Sequence, residues 1–250
     1  MAKTGLALSG GGVRGLAHLG VWKALQENKV NIDLLAGTSA GSLVGAFISS
    51  GFEAEQVLRL FERKGIFDFA RVRIPSRGLM ELRGLHKFLE SELPYNRLED
   101  LPIPLTVTVS EIKTGEVHYL SEGPLAQVLT ASSCIPVLFS PIEMNNGLYV
   151  DGGLFDNLPT TPIRKKCDYL IAVNATPSGQ RNDIKNIFDI TQRVFELGAS
   201  SEIGKGESDL LIEPMDLLNI PLLDGSKGNK AFELGYKAAV QALDKANTVS

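Results

Sequence analysis

Cysteine and histidine are scarce in this 250-residue chain. There are two cysteines, Cys134 and Cys167, and three histidines, His18, His86 and His118. Two cysteines cannot build a disulfide framework, and no metal-ligand spacing surrounds either one. Both lie in apolar runs and read as buried free thiols. An excess of positive charge is also lacking: 25 Lys+Arg stand against 29 Asp+Glu, net −4, which excludes a polybasic nucleic-acid binder as the default. A secretory signal is not visible, because the apolar stretch behind Lys3 is only Leu6-Ala7-Leu8 before glycines and Arg14. One charge-free stretch, Leu34 to Phe52, has glycines at 37, 41 and 45 in the spacing of a membrane-helix dimer. Thr38, Ser39, Ser42, Ser49 and Ser50 interrupt it, so a buried strand–turn–helix fits better than a span. The expected compartment is the reducing cytoplasm.

Hydrophobic residues make up 44% of the chain, enough for a large core without staples. Short apolar runs alternate with stretches of helical periodicity. Strands are expected at 5–8, 33–36, 105–109, 117–120 and 169–173, and a hairpin over 142–150 around Asn146-Gly147. Helices are expected near 16–25, 40–50, 53–64, 85–93, 125–133, 184–197 and 230–245. This alternation predicts an α/β fold, three layers with a mostly parallel central sheet. No repeat or composition break divides the chain, so residues 1–250 read as one domain.

The first chemical signal is Gly10-Gly11-Gly12-Val13-Arg14-Gly15, between a strand and a helix. It formally matches the dinucleotide fingerprint. That reading needs an acid at the carboxyl end of the second strand, and Asp33 stands at the opposite end. A P-loop fails as well, since Leu16-Ala17 replaces Lys-Ser/Thr. What survives is a tight turn whose successive N–H groups make a pocket for negative charge.

The second signal is Gly37-Thr38-Ser39-Ala40-Gly41, also between strand and helix. This is the context of a nucleophile elbow: a sharp turn lifts the serine hydroxyl, and small neighbours let other backbone pass close. A hydroxyl nucleophile needs a base. His18 lies in the first helix, His86 among charges and His118 in an alternating strand, and none advertises a third partner. The third signal, Asp151-Gly152-Gly153, follows the hairpin strand and offers a carboxylate instead. By itself it reads better as the start of a turn or a helix cap.

In this order the three motifs resemble the patatin-like phospholipase family. The likeness extends through Thr130-Ala131-Ser132-Ser133-Cys134-Ile135-Pro136 and the strand from Asp168 to Val173, and covers about Leu6 to Ala175. Cys134 departs from an expected small aliphatic residue. Asp156-Asn157 departs from an Asn pair and adds a negative charge expected to raise the proton affinity of Asp151.

The resemblance implies a patatin-like α/β fold and a Ser39–Asp151 dyad without histidine, metal or cofactor. The implied oxyanion site is the loop Gly10, Gly11, Gly12, Arg14 and Gly15. Gly37, Thr38, Ala40 and Gly41 would shape the elbow, and Gly152 and Gly153 the acid turn. Arg14 would hold the loop or face an anionic head group. The implied substrate is a lipid ester, a phospholipid or lysophospholipid. Thioester hydrolysis, acyl transfer and a non-catalytic binding protein remain open. Arg59 to Lys87 holds eight Lys/Arg against three acids, with Phe61, Phe67, Phe69, Leu79 and Met80 interleaved. It reads as a cap meeting a lipid surface or as a core-packing insertion with a basic face.

Overall fold

The computed structural model describes residues 2–62, 69, 71–72, 78–180, 184, 190, 193–194, 197 and 207–249. The chain opens with strand β1 (Thr4–Leu8), a 3-10 turn over Gly12–Leu16 and helix α1 (Ala17–Glu27). Strand β2 (Leu34–Thr38) leads through one residue into α2 (Ala40–Ser49), and α3 (Ala54–Glu62) follows. A two-residue ladder, β3 (Arg71–Val72) with β4 (Met80–Glu81), precedes α4 (Arg83–Glu92). Next come β5 (Leu105–Glu111), β6 (Glu116–Leu120) and α5 (Leu125–Ser132). The hairpin β7 (Ile142–Met144) and β8 (Gly147–Asp151) is followed by the short α6 (Thr161–Arg164). Strands β9 (Tyr169–Val173) and β10 (Leu210–Ile212) and the long α7 (Gly228–Val249) complete it.

The main sheet has the order β10-β9-β1-β2-β5-β8-β7, with β6 also on β5. The five strands from β10 to β5 are parallel, and the rest are antiparallel. Alternation decides which side chain meets which layer. Leu6, Leu8, Leu35, Val107, Val109, Ile171 and Val173 enter the large core with Leu19, Trp22 and Leu25 of α1 and Phe47 of α2. Ala7, Leu34, Ala36, Leu170 and Ala172 face the other way, onto Leu158 and onto Ile163 of α6. The central sheet is thus flanked by helices, as the alternating pattern predicts.

Two expectations change. The hairpin turns on Asn145 and Asn146, at φ 46° and 64°, with Gly147 already paired to Met144. Two successive left-handed residues are what a two-residue hairpin of this twist requires, and asparagine tolerates them. Cys134 is buried, but Cys167 is only partly so, and both are free. Between 59 and 87 the aromatic residues that are described point inward: Phe61 and Phe69 pack on Phe88, with centroids 5.6 and 5.0 Å away. Most of the expected helix at 184–197, and Phe67, lie outside the described residues.

Candidate active site

The geometry of the site begins with β5. Its far edge is occupied by β6 from Val107 to Glu111. Its near edge is shared: β2 pairs in parallel up to Thr38↔Thr108, and β8 pairs antiparallel from Val109↔Asp151 onward. The two strands therefore meet end to end along one edge. Ser39, which follows Thr38, and Asp151, which ends β8, arrive at the same point from distant parts of the sequence.

Ser39 has φ 51° and ψ −123° and stands just before α2. A serine in such a conformation costs on the order of 1–3 kcal/mol, so its surroundings must hold it there. Its carbonyl accepts from Ser42 N at 2.9 Å, Leu43 N at 3.1 Å and Ser42 Oγ at 2.7 Å. Its own N–H donates to Ser132 Oγ at 2.9 Å, and Ser132 Oγ donates to Thr108 O at 2.7 Å. Thr38 Oγ1 donates to Asp156 O at 3.0 Å. Gly37 in β2 lies against the backbone of Gly41 and Ser42, and Gly41 in the first turn of α2 lies against the carbonyls of Leu8 and Ser9. Sequence reasoning does not single out Ser132, because a serine in the last turn of a helix carries no local signal.

The glycine loop crosses over this elbow. A Cβ built on Gly10 would stand 3.3 Å from Ser39 Cβ, and Gly15 lies against Ala40. Gly12 has φ 54°, and a side chain there would meet Leu222 O at 2.3 Å. Gly10 N donates to Asn157 O, and Val13 N donates to Leu222 O. Among the described residues no acceptor faces the N–H groups of Gly11 and Gly12, and Gly12 lines the same cavity as Ser39. Arg14 turns away from that cavity. It is buried, and its Nε donates to Ile220 O at 2.6 Å, so its contacts fit the loop-holding role.

Asp151 is fully buried. Burial pushes its carboxyl up to about 7, against hydrogen bonding from the Ser39 side chain and from Gly153 N. Gly153 N donates to Oδ1 at 2.8 Å, while Oδ2 has no well-aligned partner. The expectation that Asp156 raises Asp151 is not met. Asp156 accepts from Tyr119 Oη at 2.7 Å, and desolvation is what lifts Asp151. Cys134 accepts Asp151 N at its carbonyl, and burial holds its thiol neutral.

The histidines are elsewhere. His18 is buried with its pKa lowered to about 4, so it is neutral, and its Nε2 donates to Ser9 O at 2.8 Å. His86 lies 3.4 Å from Glu90 on α4, and His118 packs its ring on Tyr149. None of the three lines the cavity over Ser39. That cavity is apolar, walled by Leu43, Phe61, Phe69, Leu85, Phe139 and Leu223. Among the described residues no group of three His, Cys, Asp or Glu could hold a metal.

The chain is similar to several known proteins. An uncharacterised NTE family protein of Mycobacterium tuberculosis (strain ATCC 25618 / H37Rv) is 31% identical over 186 residues, 72% of this chain and 52% of that protein. Lysophospholipase NTE1 of Meyerozyma guilliermondii is 25% identical over 93% of this chain but only 18% of its own length. The chain thus spans about half the length of the mycobacterial relative, and far less of the yeast one. Among solved structures, VipD from Legionella pneumophila superposes with a TM-score of 0.56 at 16% identity, covering 98% of this chain and 67% of that one. At that identity the likeness speaks for the fold. The sequence profile described as patatin-like phospholipase matches residues 6–163, a span that takes in the glycine loop, the elbow at Ser39 and the turn at Asp151. With more than half of its length matched, and with the glycine loop lying over the elbow where Ser39 and Asp151 meet, this chain belongs to the patatin-like phospholipase family.

Proposed function

We propose that this protein is a serine acyl hydrolase that cleaves carboxylic esters of lipids, phospholipids or lysophospholipids, through a Ser39–Asp151 dyad. The observation that carries the reading is the meeting of Ser39 and a buried carboxylate on one edge of β5, beneath an apolar cavity. The name of the yeast relative, a lysophospholipase, supports the substrate class.

The chemistry follows from the groups present. Asp151 Oδ2 takes the proton of the Ser39 hydroxyl as Oγ attacks the ester carbonyl. A carboxyl raised to about 7 is a far better base than an ordinary aspartate, and near neutral pH a large fraction is ionised. The oxyanion of the tetrahedral intermediate turns to the N–H groups of Gly11 and Gly12. Loss of one such donor typically costs about 100–1000-fold in rate. The Ser39 N–H is already engaged by Ser132, which leaves this task to the glycine loop. Collapse expels the alcohol, which recovers its proton from Asp151. Water then attacks the acyl-enzyme as Asp151 accepts its proton, and collapse breaks the acyl–Oγ bond, returns that proton to Ser39 Oγ and releases the fatty acid. The apolar cavity takes the acyl chain, and peripheral contact with a lipid surface brings the substrate.

A fluorophosphonate probe tests the nucleophile, with the labelled peptide identified by mass. Labelling at Ser39, abolished in Ser39→Ala, is expected. Labelling at Ser42 or Ser133 would overturn the assignment. Lysophospholipid and acyl-thioester substrates compared side by side test the substrate class: faster turnover of the oxygen ester is expected, and thioester turnover alone would replace this reading with a thioesterase.

A further inference from the structure

We infer that Ser132 is a positioning residue, its hydroxyl fixing the distance between Ser39 and Asp151 by bridging the nucleophile's backbone to β5, the strand against which both of their strands are paired. The inference rests on the Ser39–Asp151 reading of the site. Ser132 is fully buried at the end of α5 and does not line the cavity. Its Oγ accepts from Ser39 N at 2.9 Å and donates to Thr108 O at 2.7 Å. Both capacities of the hydroxyl are used along one line, from N–H to O–H to C=O.

The two ends of that line matter. Ser39 N belongs to the one elbow residue held at positive φ, and it stands before the first turn of α2, where helical partners are lacking. Thr108 pairs with Thr38 on β2, and its carbonyl also lies against Gly152, 2.4 Å from where a Cβ would be. The same carbonyl thus touches the acid turn and, through Ser132, the nucleophile. Without the bridge the Ser39 N–H is left buried and unpaired, and the elbow is free to relax toward an ordinary conformation. Its hydroxyl would then leave Asp151.

A matched control exists on the helix that follows Ser39. Ser49, at the other end of α2, also bridges a backbone pair: its Oγ donates to Ile103 O at 2.5 Å and accepts from Ile103 N at 3.2 Å. It is equally buried and far from the elbow in sequence. Removing either hydroxyl costs the fold a similar set of bonds, but only one removal touches the dyad.

The test compares Ser132→Ala, Ser132→Cys and Ser49→Ala on a short-chain p-nitrophenyl ester across pH. Ser132→Ala is expected to lose about 10–100-fold in kcat with KM within about two-fold of wild type. The acid limb of its pH profile should also move up. The groups facing Asp151 among the described residues are the Ser39 hydroxyl, the Gly153 N–H and the neutral thiol of Cys134, and of these Ser39 is the one the variant releases. A thiol is a weak donor of nearly the same shape, so Ser132→Cys should fall between wild type and Ser132→Ala in both readouts. Should Ser132→Ala not fold, Ser132→Cys alone decides: a wild-type kcat and an unmoved acid limb overturn the inference. An equal loss in Ser49→Ala also overturns it, since the effect would then be loosening of the fold. Ser39→Ala and Asp151→Asn run in the same assay separate the two claims. If both are inactive while Ser132→Ala is unaffected, the positioning role alone fails. If either retains activity, the dyad itself fails.

Discussion

Gly153 N–H donates to Asp151 Oδ1 at 2.8 Å, and this bond divides the labour between the two carboxylate oxygens. Oδ1 is anchored in the acid turn, and in the proposed mechanism it is the buried Oδ2 that exchanges a proton with Ser39. Asparagine keeps an acceptor for Gly153 but cannot take that proton. Asp151→Asn is therefore expected to lower kcat/KM by about 1000-fold or more, with an unchanged circular dichroism spectrum. Ser39→Ala combined with Asp151→Asn should be little worse than Ser39→Ala alone, as expected of groups acting together. A folded Asp151→Asn protein with near wild-type turnover would remove Asp151 from the mechanism.

The same substitution has a stability signature. The folded value of Asp151, about 7, lies above its ordinary 3.8. Below about pH 4 both folded and unfolded chains hold the proton, and the group contributes nothing. Between about 4 and 7 the unfolded chain ionises first, so stability falls as pH rises. Above about 7 the loss is complete, at most about 4 kcal/mol. Asp151→Asn should thus raise the denaturation midpoint at pH 8 and leave it nearly unchanged at pH 4. A wild-type protein more stable than the variant at pH 8 would contradict the buried-carboxyl argument.

Activity runs the opposite way. kcat/KM should rise with pH through an apparent pKa near 7, as Asp151 ionises. A histidine base would give a similar limb, so the variants His86→Gln and His118→Gln decide. Both residues lie outside the cavity wall, and each variant should keep at least about half of wild-type turnover with the limb unmoved. Loss of the limb in either variant would point to a histidine-based mechanism.

Leu223 lies on the cavity wall in a partly exposed turn, at the margin of the main core. Leu223→Trp should raise KM for a long-chain ester by about ten-fold, the equivalent of ~1.4 kcal/mol of lost apolar contact. Hydrolysis of an acetyl ester should change less than about three-fold. Equal effects on both esters would mean the acyl chain lies elsewhere.

Local patterns in the sequence reach the strands, the elbow at Ser39 and the turn at Asp151, because each is a contiguous motif with its own backbone demand. They do not reach the pairing that unites them. That Thr38 and Asp151 abut successive residues of β5 depends on long-range register, to which no short window is sensitive. Ser132 is silent for the same reason. Phe61 and Phe69 are a different case: interleaved with basic residues they suit a lipid-facing cap or a packed wall, and the packing of Phe61 on Phe47 and of both rings on Phe88 is legible only in three dimensions. Asp156 misleads because closeness in sequence to Asp151 is not closeness of charge, since its carboxylate is turned to Tyr119.

The shared edge of β5 acts as a ruler. The separation of Ser39 and Asp151, the proposed nucleophile and base, is set by one step along a single strand, about 3.4 Å, and not by the length of chain that joins them. Insertions in the turn at 112–115, or between α3 and α4, therefore leave that separation untouched as long as β5 keeps its two neighbours. A shift of β8 by one residue against β5 is the opposite case. It would turn every side chain of that strand to the other face and carry Asp151 away from Ser39, with hardly a change in composition, core volume or overall shape.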